Sequence, residues 1–83
     1  MLEAVNHPVE VLSLFTDGRL RPLRFRWRGR VFKIRRVSGE WSRREGVGKV
    51  QYFSVLAENQ DYFELAYDVG QCQWRICRVW MEG

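Results

Sequence analysis

Arginines set between aromatic rings are the residues of this chain whose types and spacing carry chemistry. The run Arg24-Phe25-Arg26-Trp27-Arg28, followed by Lys33, Arg35, Arg36, Arg43 and Arg44, offers guanidinium forks that match phosphate oxygens bidentately and lie flat on bases. Between Arg19 and Lys49 twelve Lys/Arg meet only Glu40 and Glu45, a local charge of +10; the remaining residues carry two Arg and eight acids, −6, leaving the net +4. A field this concentrated implies a polyanion or an acidic protein surface as partner. A third reading is a solvated face neutralised by the chain's own acids, such as Glu10, Glu58 and Glu64. Trp41, beside Ser42-Arg43-Arg44-Glu45, is a candidate stacking platform or a cover for one end of the fold; Tyr62 is the next exposed-ring candidate.

Catalysis and metal binding find no comparable grouping. His7 is the only histidine, so no Ser/His/acid or Cys/His arrangement can be assembled around a second one, and no Gly-rich phosphate loop precedes a helix. Cys72 and Cys77 with His7 are too few ligands for a zinc site. Placed five residues apart in one strand, the two cysteines have Cα atoms about 16 Å apart, beyond the ~7 Å that a disulfide spans. They are expected as reduced thiols. The chain therefore reads as a non-catalytic binding module with no cofactor and no small-molecule substrate. No stretch approaches the ~18 apolar residues of a membrane span, and Met1–Pro8 lacks the apolar core of a secretion signal, so no membrane partner and a cytoplasmic location are expected.

The elements that position the arginines follow from punctuation and periodicity. Eighty-three residues make one domain, rich enough at 46% hydrophobic and 14% aromatic to build a core. Turn signals at Asp17-Gly18, Arg28-Gly29, Ser38-Gly39, Glu45-Gly46-Val47-Gly48, Asn59-Gln60 and Val69-Gly70 separate runs rich in β-branched and aromatic residues. Six strands are predicted, near Val9–Phe15, Leu20–Arg28, Val31–Val37, Lys49–Ala57, Tyr62–Asp68 and Cys72–Trp80, with residues 1–8 a mobile segment. The fold class is all-β, an antiparallel meander curled into a small barrel-like sheet.

Pairing arithmetic assigns the faces. A turn at Arg28-Gly29 or at Gly29-Arg30 puts Leu23, Phe25, Trp27, Phe32 and Ile34 on one face, and Arg24, Arg26, Lys33 and Arg35 on the other. The inward face is expected to pack on Phe63, Leu65, Trp74 and Ile76. With Val69-Gly70 as the last loop, Leu65 faces Trp74, Phe63 faces Ile76, Tyr67 faces Cys72 and Glu64 faces Arg75. Pro22 implies an edge or a bulge, and the Arg35-Arg36-Val37 step breaks the alternation as a bulge does.

The pattern Val9-Glu10-Val11, Asp17-Gly18, Pro22, Phe25-x-Trp27-Arg28-Gly29-Arg30-x-Phe32-x-Ile34, Val37, Trp41, Arg43-Arg44, Gln51-Tyr52-Phe53-x-Val55, Tyr62-Phe63-Glu64-Leu65-x-Tyr67-Asp68 and Trp74-Arg75-Ile76 resembles a bacterial family of small domains of unknown function. It is also similar to the C-terminal tail of ImuB-type relatives of Y-family DNA polymerases. The resemblance covers nearly the whole chain, mostly at core and turn positions. It implies an association with translesion synthesis or DNA repair, as a DNA-binding accessory or a docking module, and it transfers no catalytic residue. The chain carries no polymerase body, so either independent action or docking on a separate protein is compatible with it.

Overall fold

The computed structural model describes residues 1–81, and among them it has seven strands and no helix: β1 Leu2–Pro8, β2 Glu10–Thr16, β3 Arg19–Trp27, β4 Arg30–Glu45, β5 Gly48–Ala57, β6 Tyr62–Asp68 and β7 Gln73–Trp80. They form one antiparallel sheet in the order β1-β7-β6-β5-β4-β3-β2. From β2 to β7 this is a meander of six strands; the seventh comes from the segment expected to be mobile. Leu2–Pro8 lies along β7, with Leu2 opposite Trp80 and Pro8 opposite Arg75. Three contacts explain its place: Val5 packs against the core, the Met81 N–H donates to the Met1 carbonyl (2.9 Å), and the Trp27 indole N–H donates to His7 Nδ1 (3.4 Å).

The two edges of the sheet are β1 and β2, and no ladder joins them, so the sheet is not hydrogen-bonded into a closed barrel. Only Val9 separates these edges in the chain, and its N–H donates to the Trp74 carbonyl on β7 (3.2 Å). The sheet also bends over itself. Phe25 and Trp27 on β3 meet Phe63 on β6 edge-on, at centroid distances of 4.8 and 5.9 Å, although two strands lie between β3 and β6 in the sheet order. Phe32 stacks on Phe25 at 5.1 Å, and Phe53, Val55, Ala57, Leu65, Ile76 and Val79 complete this buried cluster. Edge-to-face and offset ring pairs of this kind contribute about 0.5–1.5 kcal/mol each beyond their buried area.

Turn chemistry fixes the β3–β4 register. Arg28 and Gly29 both have positive φ (52° and 74°), the left-handed pair of a two-residue type I′ turn, which sets Phe25 opposite Phe32 and Arg24 opposite Lys33. Of the two registers compatible with the sequence, this is the Arg28-Gly29 one. One inward residue is displaced: Leu23 is the extra residue of a bulge, since Leu12 pairs with Arg24 while Ser13 pairs with Pro22. Pro22 is buried in its place and Leu23 is 43% exposed. A proline with no N–H to give sits beside the ladder's interruption, as expected of it.

The last hairpin departs from its expected register. Tyr67 faces Trp74, Leu65 faces Ile76 and Phe63 faces Val79, while Glu64 faces Arg78 rather than Arg75. The loop is four residues, Val69–Cys72, held by Asp68 Oδ1 accepting from the Gln71 N–H (3.0 Å) and by Cys72 at φ 54°, and a bulge follows between Glu64 and Leu65. Cys72 is thus in the turn, not in the strand, and both thiols are free.

Candidate nucleic-acid interface

Alternation with the buried Phe25, Trp27 and Phe32 puts Arg24, Arg26 and Lys33 on the outer face of β3 and β4, with Arg24 directly opposite Lys33. Like charges opposite one another weaken a sheet. The acids expected as possible neutralisers form no ion pair with them among the described residues: Glu10 stands directly opposite Arg26 across the ladder and offsets part of its charge, while Glu58 and Glu64 pair with none of the three. Ion pairs form elsewhere among the described residues, at Arg19–Glu40 (4.0 Å) and Arg28–Glu3 (3.5 Å), both exposed. Pairs of this kind contribute roughly 0–1 kcal/mol.

Two arginines at the turn have other work. Arg28 lies over the Trp27 ring (4.2 Å to the centroid) and Arg30 over Phe32 (5.0 Å), capping the rim of the aromatic core by cation–π contact. Of the sequence-predicted set, Arg28 is therefore a member engaged with the rim of the core.

Past Lys33 the sheet splits. Bulges between Ile34 and Arg36 and between Val37 and Gly39 turn β4 away from β3, after which it pairs with β5 alone; β3 from Arg19 to Pro22 pairs with β2 alone. The gap is a cleft of about 740 Å³, with Phe53 among its lining residues and Arg19, Arg21, Arg35 and Arg36 around it, together with Asp17 and Glu40. Arg35 and Arg36 belong to the predicted set. Arg19 and Arg21 lie outside it, and their place in the charge cluster is the sequence signal that points to them.

Trp41, Arg43 and Arg44 lie within β4, not in a connection, because the strand runs through its bulges to Glu45. Trp41 stacks on Tyr52, directly across the ladder, at 5.4 Å and 7°, and the Arg43 guanidinium is 5.7 Å from the same Tyr52 ring. The Tyr52 hydroxyl donates to Glu45 Oε2 (2.9 Å), and burial, then this hydrogen bond, raises its pKa above the usual tyrosine value. Arg44 faces Lys49 on the opposite side of the hairpin. Arg36 reaches the outer face of β6, where its guanidinium donates to the Tyr62 hydroxyl (3.3 Å). The nine predicted residues thus fall into an outer row (Arg24, Arg26, Lys33), a cleft pair (Arg35, Arg36), a Trp41/Arg43 stack, and the separate Arg28 and Arg44.

The model of a domain of unknown function, DUF6504, matches residues 1–81. The chain belongs to that family. Among curated proteins and among solved structures nothing matches it. Membership of the DUF6504 family assigns no activity to any of these residues, so the arrangement of charge and rings is what carries a functional argument. No helix among the described residues is long and apolar enough to cross a membrane.

Proposed function

We propose that this DUF6504 domain is a non-catalytic nucleic-acid-binding module that engages the phosphate backbone with Arg24, Arg26 and Lys33 and with the cleft arginines Arg19, Arg21, Arg35 and Arg36. The observation that carries the reading is the outer row: three cations in register on adjacent strands, two of them directly opposed, with no ion pair among the described residues. A polyanion relieves the repulsion that this arrangement builds into the sheet. The proposal extends to a barrel-like curl of the sheet, supported by the single-residue link at Val9 and the ring contacts between β3 and β6. It also extends to a cytoplasmic accessory of DNA repair or translesion synthesis, which the resemblance to ImuB-type tails and the two free thiols support.

Titration of a labelled oligonucleotide at about 50 and 200 mM salt tests it. Each phosphate neutralised contributes a log–log slope of roughly −0.7 to −0.9, so contacts from all seven cations give about −4.9 to −6.3. Arg24→Glu with Arg26→Glu is expected to abolish binding while the urea midpoint holds, because both side chains face outward. Affinity no tighter than about millimolar for any oligonucleotide, below ordinary non-specific binding of ~10⁻⁴–10⁻⁶ M, would remove this reading and leave an acidic protein surface as the partner of the arginine field.

A further inference from the structure

Exposed rings gather on a part of the outer face that the arginine row does not reach. Because Phe53, Phe63, Leu65, Ile76 and Val79 point into the core, Tyr52, Leu56, Tyr62, Cys77 and Trp80 on the same three strands point out. The ladders arrange these side chains in rows. One row runs Arg36, Leu56, Tyr62, Trp80, Leu2 across β4, β5, β6, β7 and β1; another runs Trp41, Tyr52, Ala66, Arg75. Trp41 is 36%, Tyr62 37% and Trp80 48% exposed.

The rings stand where bases could lie on them. Tyr62 and Trp80 are direct cross-strand neighbours, so their Cβ atoms are about 5 Å apart. The Trp41 row is four residues along β5 from the Tyr62 row, about 13 Å, and two strands to the side, about 10 Å, placing Trp41 roughly 16 Å from Tyr62. Stacking on Tyr52 covers one side of the Trp41 indole and holds its plane. Arg36 and Arg43 flank the two platforms, and Arg75 and Arg78 lie between and beside them; the acids of this face are Glu64, opposite Arg78, with Asp68 and Glu45.

We infer that the outer face of β4–β7 takes the unpaired bases of single-stranded nucleic acid, stacked on Trp41, Tyr62 and Trp80, while the arginines beside them follow its backbone. The inference rests on the proposed phosphate binding and specifies its substrate class. A duplex hides the faces of its bases and has nothing to lay on these rings, whereas every unpaired base presents a π-face. Charge complementarity favours a polyanion as the occupant: on this face Arg36, Arg43, Arg75 and Arg78 outnumber the acids Glu45, Glu64 and Asp68.

The test compares a fluorescein-labelled 12-nucleotide dT strand, a 12-base-pair duplex and poly-glutamate as competitor, each against wild type, Trp41→Ala, and Tyr62→Ala with Trp80→Ala. Base stacking on an aromatic side chain accounts for about 5- to 150-fold in affinity per ring. The expected result is a preference of wild type for the single strand, a loss within that range for each ring removed, and a duplex affinity and salt slope changed by less than about twofold. Tyr62→Phe and Trp80→Phe are expected to retain single-strand affinity within about threefold, and tryptophan fluorescence of wild type is expected to be quenched by dT. Equal affinity of wild type for both nucleic acids, with the ring variants unchanged, would overturn the inference and leave phosphate binding standing. Binding to neither nucleic acid would overturn both. Loss of poly-glutamate binding in the ring variants equal to the loss of dT binding, or a dimer whose formation depends on these rings and excludes dT, would assign the face to a protein instead.

Discussion

Truncating Leu23 and Phe25 separately tests the course of β3 through its bulge. Strict alternation makes the two residues equivalent inward positions; in the structure Phe25 is 1% exposed and Leu23 43% exposed, with Pro22 buried between the strands instead. Phe25→Ala removes a ring packed on Phe32, Phe63 and the core around them, and the closed site cannot refill, so the expected cost is about 3–5 kcal/mol. Against a total stability of about 5–15 kcal/mol, and at roughly 4–8 °C per kcal/mol for a domain of this size, the melting temperature falls by about 12–40 °C or the domain unfolds. Leu23→Ala opens no enclosed cavity and forfeits only the part of its surface that is covered, less than about 1 kcal/mol. Urea denaturation with both variants and wild type reads the difference directly, provided that the slopes agree. Costs within about 1 kcal/mol of each other would mean that β3 has no bulge at Leu23 and that its face assignment is wrong.

Cys72 is exposed in a turn, whereas Cys77 is half-buried beside Val50, Tyr52 and Ala66, and burial raises its thiol pKa. Maleimide at pH 8 is therefore expected to modify Cys72 first, and mass mapping that finds Cys77 modified first would contradict the packing on the outer face. Tyr52 is held neutral in the fold by burial and by its hydrogen bond to Glu45, so its stabilising contribution is complete below pH 10 and is lost as pH rises through its elevated pKa. Denaturation midpoints are expected to fall above pH 10 more steeply in wild type than in Tyr52→Phe; identical alkaline profiles would count against that contact.

How much of this was legible in the sequence depended on whether local chemistry or distant packing decided the outcome. Arg28-Gly29 could be read as a turn because two left-handed residues are what a tight hairpin needs, and the Phe25/Phe32 pairing followed from it. The bulge at the Arg35-Arg36-Val37 step was visible as broken alternation. Leu23 was misplaced because nothing in its own residue type marks it as the extra residue; the mark was Pro22, one position earlier. The last hairpin slipped because its loop is set by the Asp68 side chain capping the Gln71 N–H and by Cys72 adopting positive φ, neither of which the dipeptide Val69-Gly70 announces. β1 was missed because an edge strand with Asn6, His7 and Pro8 has weak propensity, and it is held by contacts 20 to 80 residues away. Of the candidate site, residue types were legible and their grouping was not. Charge counting found the arginines, but separating Arg28, laid on Trp27, from Arg24 and Arg26 needed the fold.

The link between fold and site is the irregularity of β4. Had β4 continued in register with β3, the two bulges would be absent, β3 from Arg19 to Pro22 would have its ladder filled, and the arginines would lie on one uninterrupted sheet with no concavity. By leaving β3 after Lys33, the strand opens the cleft on one side and carries Trp41 and Arg43 across to Tyr52 on the other. Both features have a cost in unpaired backbone and opposed cations, borne by the core of stacked rings. Bulges conserve neither hydrogen bonds nor pairing and add no burial of their own, so their contribution here is to aim side chains. What they aim is charge beside exposed aromatic surface, which is the combination that a flexible polyanion with flat bases can use and a globular acidic protein matches only in part.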